Sequence, residues 1–308
     1  MKLTARPFAG EEDYWRIREF LREVFRINDP RELSWQAYRF DYWRWHGVEN
    51  MGNGPLETRI FIWETTERRI AAVLHPERKQ DACLQVHPEL RTPELEEQML
   101  VAAEEHLGWP DAEGRHRLQV WAHADDDLRQ EILLRRGYVK GVGPEYQRRR
   151  LMSVPVPDVP VPEGYAVRPL GDVGELPARS LLSWRAFHPN EPDSRYEGWE
   201  WYRNIQRAPL YRRDLDMVAV APDGTLAAFS TVWFDDVTRT GAFEPVGVAP
   251  DRQRQGLGRA VMLEGLRRLE RFGARTAYVG SFSPGAHALY ASAGFTEYDV
   301  SEPWLKEL

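Results

Sequence analysis

The chain of 308 residues is 42% hydrophobic and 12% aromatic, with 12 Trp, and carries a formal net charge of −7 and a pI near 5.7. That composition excludes a disordered chain, and the acidic balance gives no general electrostatic basis for binding nucleic acid or an anionic membrane. A single cysteine, Cys83, excludes an internal disulfide framework and a cysteine-rich zinc site, so a reducing, cytoplasmic location is expected.

The amino terminus, Met1-Lys2-Leu3-Thr4-Ala5-Arg6-Pro7, lacks the apolar core of a signal peptide. No run approaches the ~20 apolar residues that span a bilayer, so no membrane partner is expected. Only Lys2, Lys79, Lys140 and Lys306 are lysines among the 41 basic residues, and the rest are Arg. Their planar forks suit phosphate and carboxylate, although most surface charges are simply solvated.

In chain order, Lys2 to Phe8 reads as a strand, Glu12 to Phe25 and Trp35 to Trp45 as helices, and Arg59 to Glu64 with Arg69 to Leu74 as a hairpin. A strand from Ala82 to Val86 leads through His87-Pro88 into a helix from Glu94 to Leu107. Residues 151–164 alternate Pro with Val, which favours an extended, stiff linker. They divide the chain into a first domain at 1–150 and a second at 165–308, each within the common domain size.

The second half opens with a strand from Tyr165 to Leu170 and helical stretches near 174–187 and 197–208. Leu215 to Ala221 and Leu226 to Phe234 flank Pro222-Asp223-Gly224-Thr225, a hairpin turn, and a third strand covers 240–248. Leu257 to Phe272 has Leu263, Leu266 and Leu269 at helical spacing and stops at Gly273. A strand from Ala277 to Gly280, a helix from Ser283 to Ala293 and a strand from Phe295 to Ser301 complete the order β-α-α-β-β-β-α-β-α-β. The first half repeats that order, and Ile132 to Tyr138 matches Leu289 to Phe295 position for position, which reads as an internal duplication.

Between strand and helix, Gln253-Arg254-Gln255-Gly256-Leu257-Gly258-Arg259-Ala260 reads as an anion cradle. Gly256 and Gly258 remove side chains where a ligand would approach the backbone, and the helix start offers unpaired N–H groups and a positive dipole end. A Rossmann site would want Gly-x-Gly-x-x-Gly after the first strand of a βαβ unit, and a P-loop would want Gly-Lys-Ser/Thr; neither pattern is present.

Three features together resemble the GCN5-related N-acetyltransferase (GNAT) superfamily, in a tandem arrangement similar to mycothiol synthase-like proteins. They are the Gln253 to Gly258 signature after a strand and Pro250, the late Ala286-x-x-Leu289-Tyr290-x-x-x-Gly294-Phe295 pattern, and the strand order. The resemblance implies an α/β fold of two tandem GNAT-like domains, each a mixed, mostly antiparallel sheet flanked by helices. It implies acetyl-CoA as co-substrate, no metal, and an acetyltransferase acting on a small amine by direct transfer in a ternary complex. The pyrophosphate would rest on Arg254, Gln255, Gly256, Leu257, Gly258, Arg259 and Ala260, and the pantetheine arm on Val246, Gly247 and Val248 as an added strand.

Acetyl transfer needs a proton for the departing thiolate and a neutral amine. The resemblance assigns the first to Tyr290 as general acid and the second to Glu244 as general base, with Pro245 able to bulge the strand and turn that carboxylate aside. Ser283 stands where the family often has Asn and would still touch the coenzyme. His287 reads as a solvated helix residue rather than a second base. A non-catalytic acyl-CoA-binding module with an aromatic partner surface is the competing reading, and a homodimer stays open.

Laying the first half on the second at Val86-His87-Pro88 puts Arg91 on Gln253, Glu94 on Gly256, Glu96 on Gly258, Glu97 on Arg259 and Leu133 on Tyr290. Three carboxylates beside a helix N-terminus would repel a pyrophosphate, and Leu133 has no proton to give. The first domain is therefore expected to be degenerate, without a coenzyme site. The aromatic helix from Trp35 to Trp45 is expected to pack into the core or line a surface.

Overall fold

The proline-valine segment does not mark the divide. In a computed structural model that describes residues 3–48 and 55–308, the chain forms two compact units, one of residues up to 146 together with 299–308 and one of residues 147–298. The boundaries expected at 150 and 165 differ from this grouping because residues near the carboxy end pair with a strand of the first unit.

In the first unit, β1 (Leu3–Pro7) leads into α1 (Glu11–Asn28) and α2 (Ala37–Tyr42). Lys2, the expected start of that first strand, lies outside the described residues. Then come β2 (Phe61–Thr65), β3 (Ile70–His75), β4 (Asp81–Val86), α3 (Pro93–His106), β5 (Trp109–Pro110), β6 (His116–His123), α4 (Asp127–Arg135) and β7 (Val139–Lys140). The sheet order is β1-β2-β3-β4-β6, antiparallel except for β4 and β6, which run parallel.

The helix expected from Trp35 to Trp45 is α2 followed by a wider π-turn at Trp43–Val48, and Trp35, Tyr38, Phe40 and Trp43 are buried. Phe40 and Trp43 pack with Tyr14, Ile17, Leu21 and Val24 of α1 on one sheet face, while Leu95, Met99, Leu100 and Ala103 of α3 cover the other. Core packing therefore accounts for most of these aromatics.

The second unit begins within β8 (Glu145–Leu151), and β9 (Ala166–Pro169), α5 (Leu176–Phe187), α6 (Tyr202–Ile205), β10 (Asp216–Val220), β11 (Leu226–Asp235) and β12 (Thr240–Val248) follow. After these come α7 (Leu257–Arg271), β13 (Thr276–Ser281) and α8 (Pro284–Ser292). Its sheet runs β8-β13-β12-β11-β10-β9, with β12 and β13 parallel. Val261, Met262, Leu266 and Leu269 of α7 pack on Met217, Ala219, Val232 and Phe243, each fully buried apolar side chain contributing roughly 2 kcal/mol. Gly265 permits that approach, since a Cβ there would lie 2.8 Å from Phe243 and 2.9 Å from Val232.

Residues 152–165 form no regular element, yet Met152 belongs to this core and the partly buried Val156 and Val159 pack against it, so the segment is a strap on the second unit rather than a free linker. The helix expected at 197–208 shrinks to the single turn of α6, because Gly198 takes a positive φ of 105° and the following residues turn rather than continue.

The last strand, β14 (Glu297–Glu307), explains the boundary. From Ser301 to Glu307 it pairs antiparallel with β6, Ser301 opposite His123 and Lys306 opposite Leu118, and it places Trp304 in the first unit's core. Among the described residues, no helix is long and apolar enough to cross a membrane.

Candidate functional site

Strand β12 carries the candidate site because it has a neighbour on only part of one side. Its parallel register with β13 covers Thr240–Ala242 against Thr276–Tyr278. Beyond that point β12 continues along β11, with Val246 opposite Ser230, Gly247 opposite Phe229 and Val248 opposite Ala228. The register on β11 shifts between Ser230 and Val232, opposite Glu244-Pro245, whose peptide bond is cis. β12 and β13 thus part where Val246, Gly247 and Val248 sit half-buried, leaving backbone groups able to pair with an extended ligand.

The loop after β12 ends in two left-handed residues, Arg254 with φ 63° and Gly256 with φ 83°. Gly256 is the N-cap of α7 and supplies no capping side chain, so among the described residues no side-chain cap covers the first amides of this fifteen-residue helix. Gln253, Arg254, Gln255 and Gly256 are exposed, Leu257 and Gly258 are buried, and Arg259 and Ala260 lie between. A Cβ on Gly258 would press within 3.1 Å of Val248 and 3.2 Å of Leu289, so this glycine lets α7 close onto both β12 and α8. The Nε of Arg259, in the first helical turn, is buried and has no hydrogen-bond partner among the described residues. The Gln255 side chain is occupied, accepting a bond of 3.0 Å from the Tyr165 hydroxyl.

Tyr290 on α8 is buried, and its phenol is pushed up to about 12, first by burial and then by the charge of Glu244. Its hydroxyl makes no hydrogen bond among the described residues. Glu244 is half-buried on β12 just before the register shift, and its charge is felt at Tyr290. The Glu244 carbonyl accepts from Trp233 Nε1 at 2.6 Å, which fixes the backbone at this bend.

Ser283 caps α8, its hydroxyl accepting from the Ala286 amide at 3.3 Å, so it is engaged within the protein. His287 is not a simple solvated residue. Its Nδ1 lies 2.8 Å from the Ser281 hydroxyl, which also accepts from Arg148 Nε at 3.2 Å, and burial together with Arg148 lowers its pKa.

A second group was not found from the sequence. Arg179 on α5 and Asp216 on β10, both fully buried, pair at 3.2 Å. Tyr202 and Tyr211 donate to the other Asp216 oxygen, and Thr231 links to both partners. Arg179 also lies 3.7 Å over the Phe229 ring, which in turn fills the space above Gly247, where a Cβ would meet Phe229 at 2.4 Å. This network ties α5 and α6 to the strand that opens. Its members lie too far apart along the chain to produce any local spacing pattern.

The corresponding place in the first unit is built differently. α3 is capped by the Thr92 side chain, accepting from Leu95 N at 3.2 Å. Glu96 is fully buried, and although burial opposes its charge, Arg129 and Arg91 hold its pKa low with bonds of 2.9 and 2.6 Å. Leu133 is buried in the core. A carboxylate and its arginines fill the helix end that stays open in the second unit.

The acetyltransferase (GNAT) family matches residues 178–295, which holds β10 to β13, the glycine loop and α8. A mycothiol acetyltransferase of Kineococcus radiotolerans is 30% identical over 221 residues, covering 69% of this chain and 68% of that protein. Another, of Thermomonospora curvata, is 32% identical over 190 residues, covering 60% of this chain and 62% of its own length. Among solved structures, a GCN5-related N-acetyltransferase from Sphaerobacter thermophilus aligns over 99% of this chain and 95% of its own, with a TM-score of 0.68 at 20% identity. A tandem GNAT protein from the clavulanic acid biosynthesis pathway aligns over 99% and 98%, with a TM-score of 0.65 at 16% identity, and shares the fold. The chain therefore belongs to the GNAT family of acetyltransferases, in its tandem arrangement.

Proposed function

We propose that the second unit transfers acetyl from acetyl-CoA directly to the amino group of a small molecule, within a ternary complex. The observation that carries the proposal is the meeting of three features: the opening beside Val246–Val248, the uncapped start of α7, and Tyr290 within electrostatic reach of Glu244. The coenzyme supplies an acetyl group activated as a thioester. Residues 254–260 fit its pyrophosphate through exposed loop amides and the unpartnered Arg259 Nε, and Val246, Gly247 and Val248 fit its extended arm.

Glu244 accepts the proton of the incoming ammonium, directly or through one water, leaving a nitrogen lone pair for the acetyl carbon. Tyr290 holds its proton across neutral pH and donates it to the departing thiolate sulfur. Ser283, engaged as a cap, would contribute through its backbone. In the first unit, the buried Glu96 with its arginines supports the reading that one unit of the two binds coenzyme.

The relatives named mycothiol acetyltransferases make a mycothiol-related amine the first acceptor to try, beside amino sugars and simple amines. Thiol release from acetyl-CoA across that panel is the test. Amine-dependent release is expected, and a protein that binds coenzyme A but releases no thiol with any amine would instead be the non-catalytic module.

A further inference from the structure

The first unit keeps its own opening. The parallel register of β4 and β6 covers Asp81 and Ala82 against Gln119 and Val120, and past it lies a cavity of about 230 Å³ within this unit. That is below the ~300–1,000 Å³ of sites for drug-sized ligands, so its occupant is small. Leu33, Leu84, Val86 and Pro88 give it an apolar side.

His123, at the end of β6, stands in the wall. It is 8% exposed, and its Nδ1 is buried without a hydrogen-bond partner. Neither ring nitrogen makes a bond among the described residues, although a buried polar atom left unpaired costs about 1–3 kcal/mol. Burial, reinforced by the neighbouring Arg129, lowers its pKa to about 4, so the ring is neutral and offers a lone pair.

Charge selects among ligands. Arg129 is spent on both oxygens of Glu96 and on the carbonyls of Leu84 and Trp121. Arg91 is paired with Glu96 and Asp126, and Arg31 with Asp125 and Asp299. Asp127, also in the wall, makes no ion pair among the described residues. The wall holds three guanidiniums and three carboxylates, and with the arginines' further partners Glu96 and Asp299 the carboxylates number five against three, which disfavours an anion such as a pyrophosphate and favours a cation.

We propose that this opening binds a small organic ammonium ion, whose N–H donates to His123, whose charge is balanced by Asp127, and whose apolar body rests on Leu33, Leu84 and Val86. The proposal is independent of the chemistry assigned to the second unit. It gives the degenerate half a ligand of its own, smaller than the coenzyme and opposite in charge.

The full chain, labelled with 15N at histidine, tests it by imidazole NMR, with His123 assigned from the spectrum of His123→Gln. Benzylammonium chloride should shift the His123 resonances saturably, and sodium benzoate, its charge-reversed counterpart, should leave them unmoved at the same concentration. Asp127→Asn should weaken benzylammonium binding at least about threefold, and His123→Leu about tenfold, in line with loss of a bond to a charged group. If His123→Leu does not fold, Asp127→Asn carries the mutational arm alone. Unchanged His123 resonances with benzylammonium, or equal binding of benzoate, would overturn the proposal.

Discussion

Replacing Tyr290 with Phe isolates one hydroxyl. That hydroxyl has no hydrogen-bond partner among the described residues, so its removal orphans nothing and the ring keeps its packing; stability should change by no more than about 0.5 kcal/mol. With a pKa near 12, about one Tyr290 in ten thousand is ionised at pH 8, against about one in a hundred for an ordinary tyrosine. The proton is therefore present for donation throughout the working range. Positioned acid catalysis contributes about 10²–10⁴, or roughly 3–5 kcal/mol of barrier. In a thiol-release assay kcat should fall at least about 100-fold, while KM for acetyl-CoA stays within about twofold. The wild-type kcat profile should show no alkaline descent due to Tyr290 below about pH 10. A loss of less than about threefold in kcat would refute the assignment of this proton to Tyr290.

Gly256→Glu puts a carboxylate at the start of α7 and a side chain at φ 83°, costing about 1–2 kcal/mol of backbone strain. Coenzyme A affinity by calorimetry should drop at least about 100-fold while the chain stays folded, and retained affinity would place the pyrophosphate elsewhere. Asp216→Asn leaves the buried Arg179 guanidinium without its counter-charge and should cost about 3–5 kcal/mol in urea denaturation, with a loss below about 1 kcal/mol counting against the network. In the first unit, the Arg6 guanidinium holds the Asp13 carboxyl down at about 2, so its contribution to stability is complete above pH 4 and is lost as pH falls toward 2. Asp13→Asn should flatten that acid limb of the stability curve, and an unchanged limb would mean that other carboxylates set it.

What the sequence reveals about the fold follows from how local each cause is. Gly273, which ends α7 at φ 71°, was legible because the requirement belongs to a single residue, whereas the left-handed φ of 83° at Gly256 was not read from the sequence. The hairpin at Pro222–Thr225 and the leucines of α7 were legible for the same reason. The glycine loop, Tyr290 and Glu244, on which the proposed function rests, could be singled out because they lie on elements whose order could be read. Arg179 with Asp216, and Arg148 with Ser281 and His287, were not, since each joins segments that only tertiary folding brings together. The aromatic stretch at 197–208 suggested a helix by composition, but Gly198 and the turns after it limit regular structure to Tyr202–Ile205. The partner of the final strand was equally hidden, because alternation fixes a face and not a neighbour.

That final strand bears on how the chain can be made and divided. Residues 301–307 supply hydrogen bonds to β6, and Trp304 supplies core, for a unit whose other parts precede them by more than 150 positions. During synthesis the edge of β6 stays uncovered until residues 301–307 emerge. A cut in the proline-valine segment would release an amino-terminal piece lacking a strand and a carboxy-terminal piece carrying a stray one. Expressed without residues 301–307, the first unit would lack both the strand beside β6 and the buried Trp304 side chain.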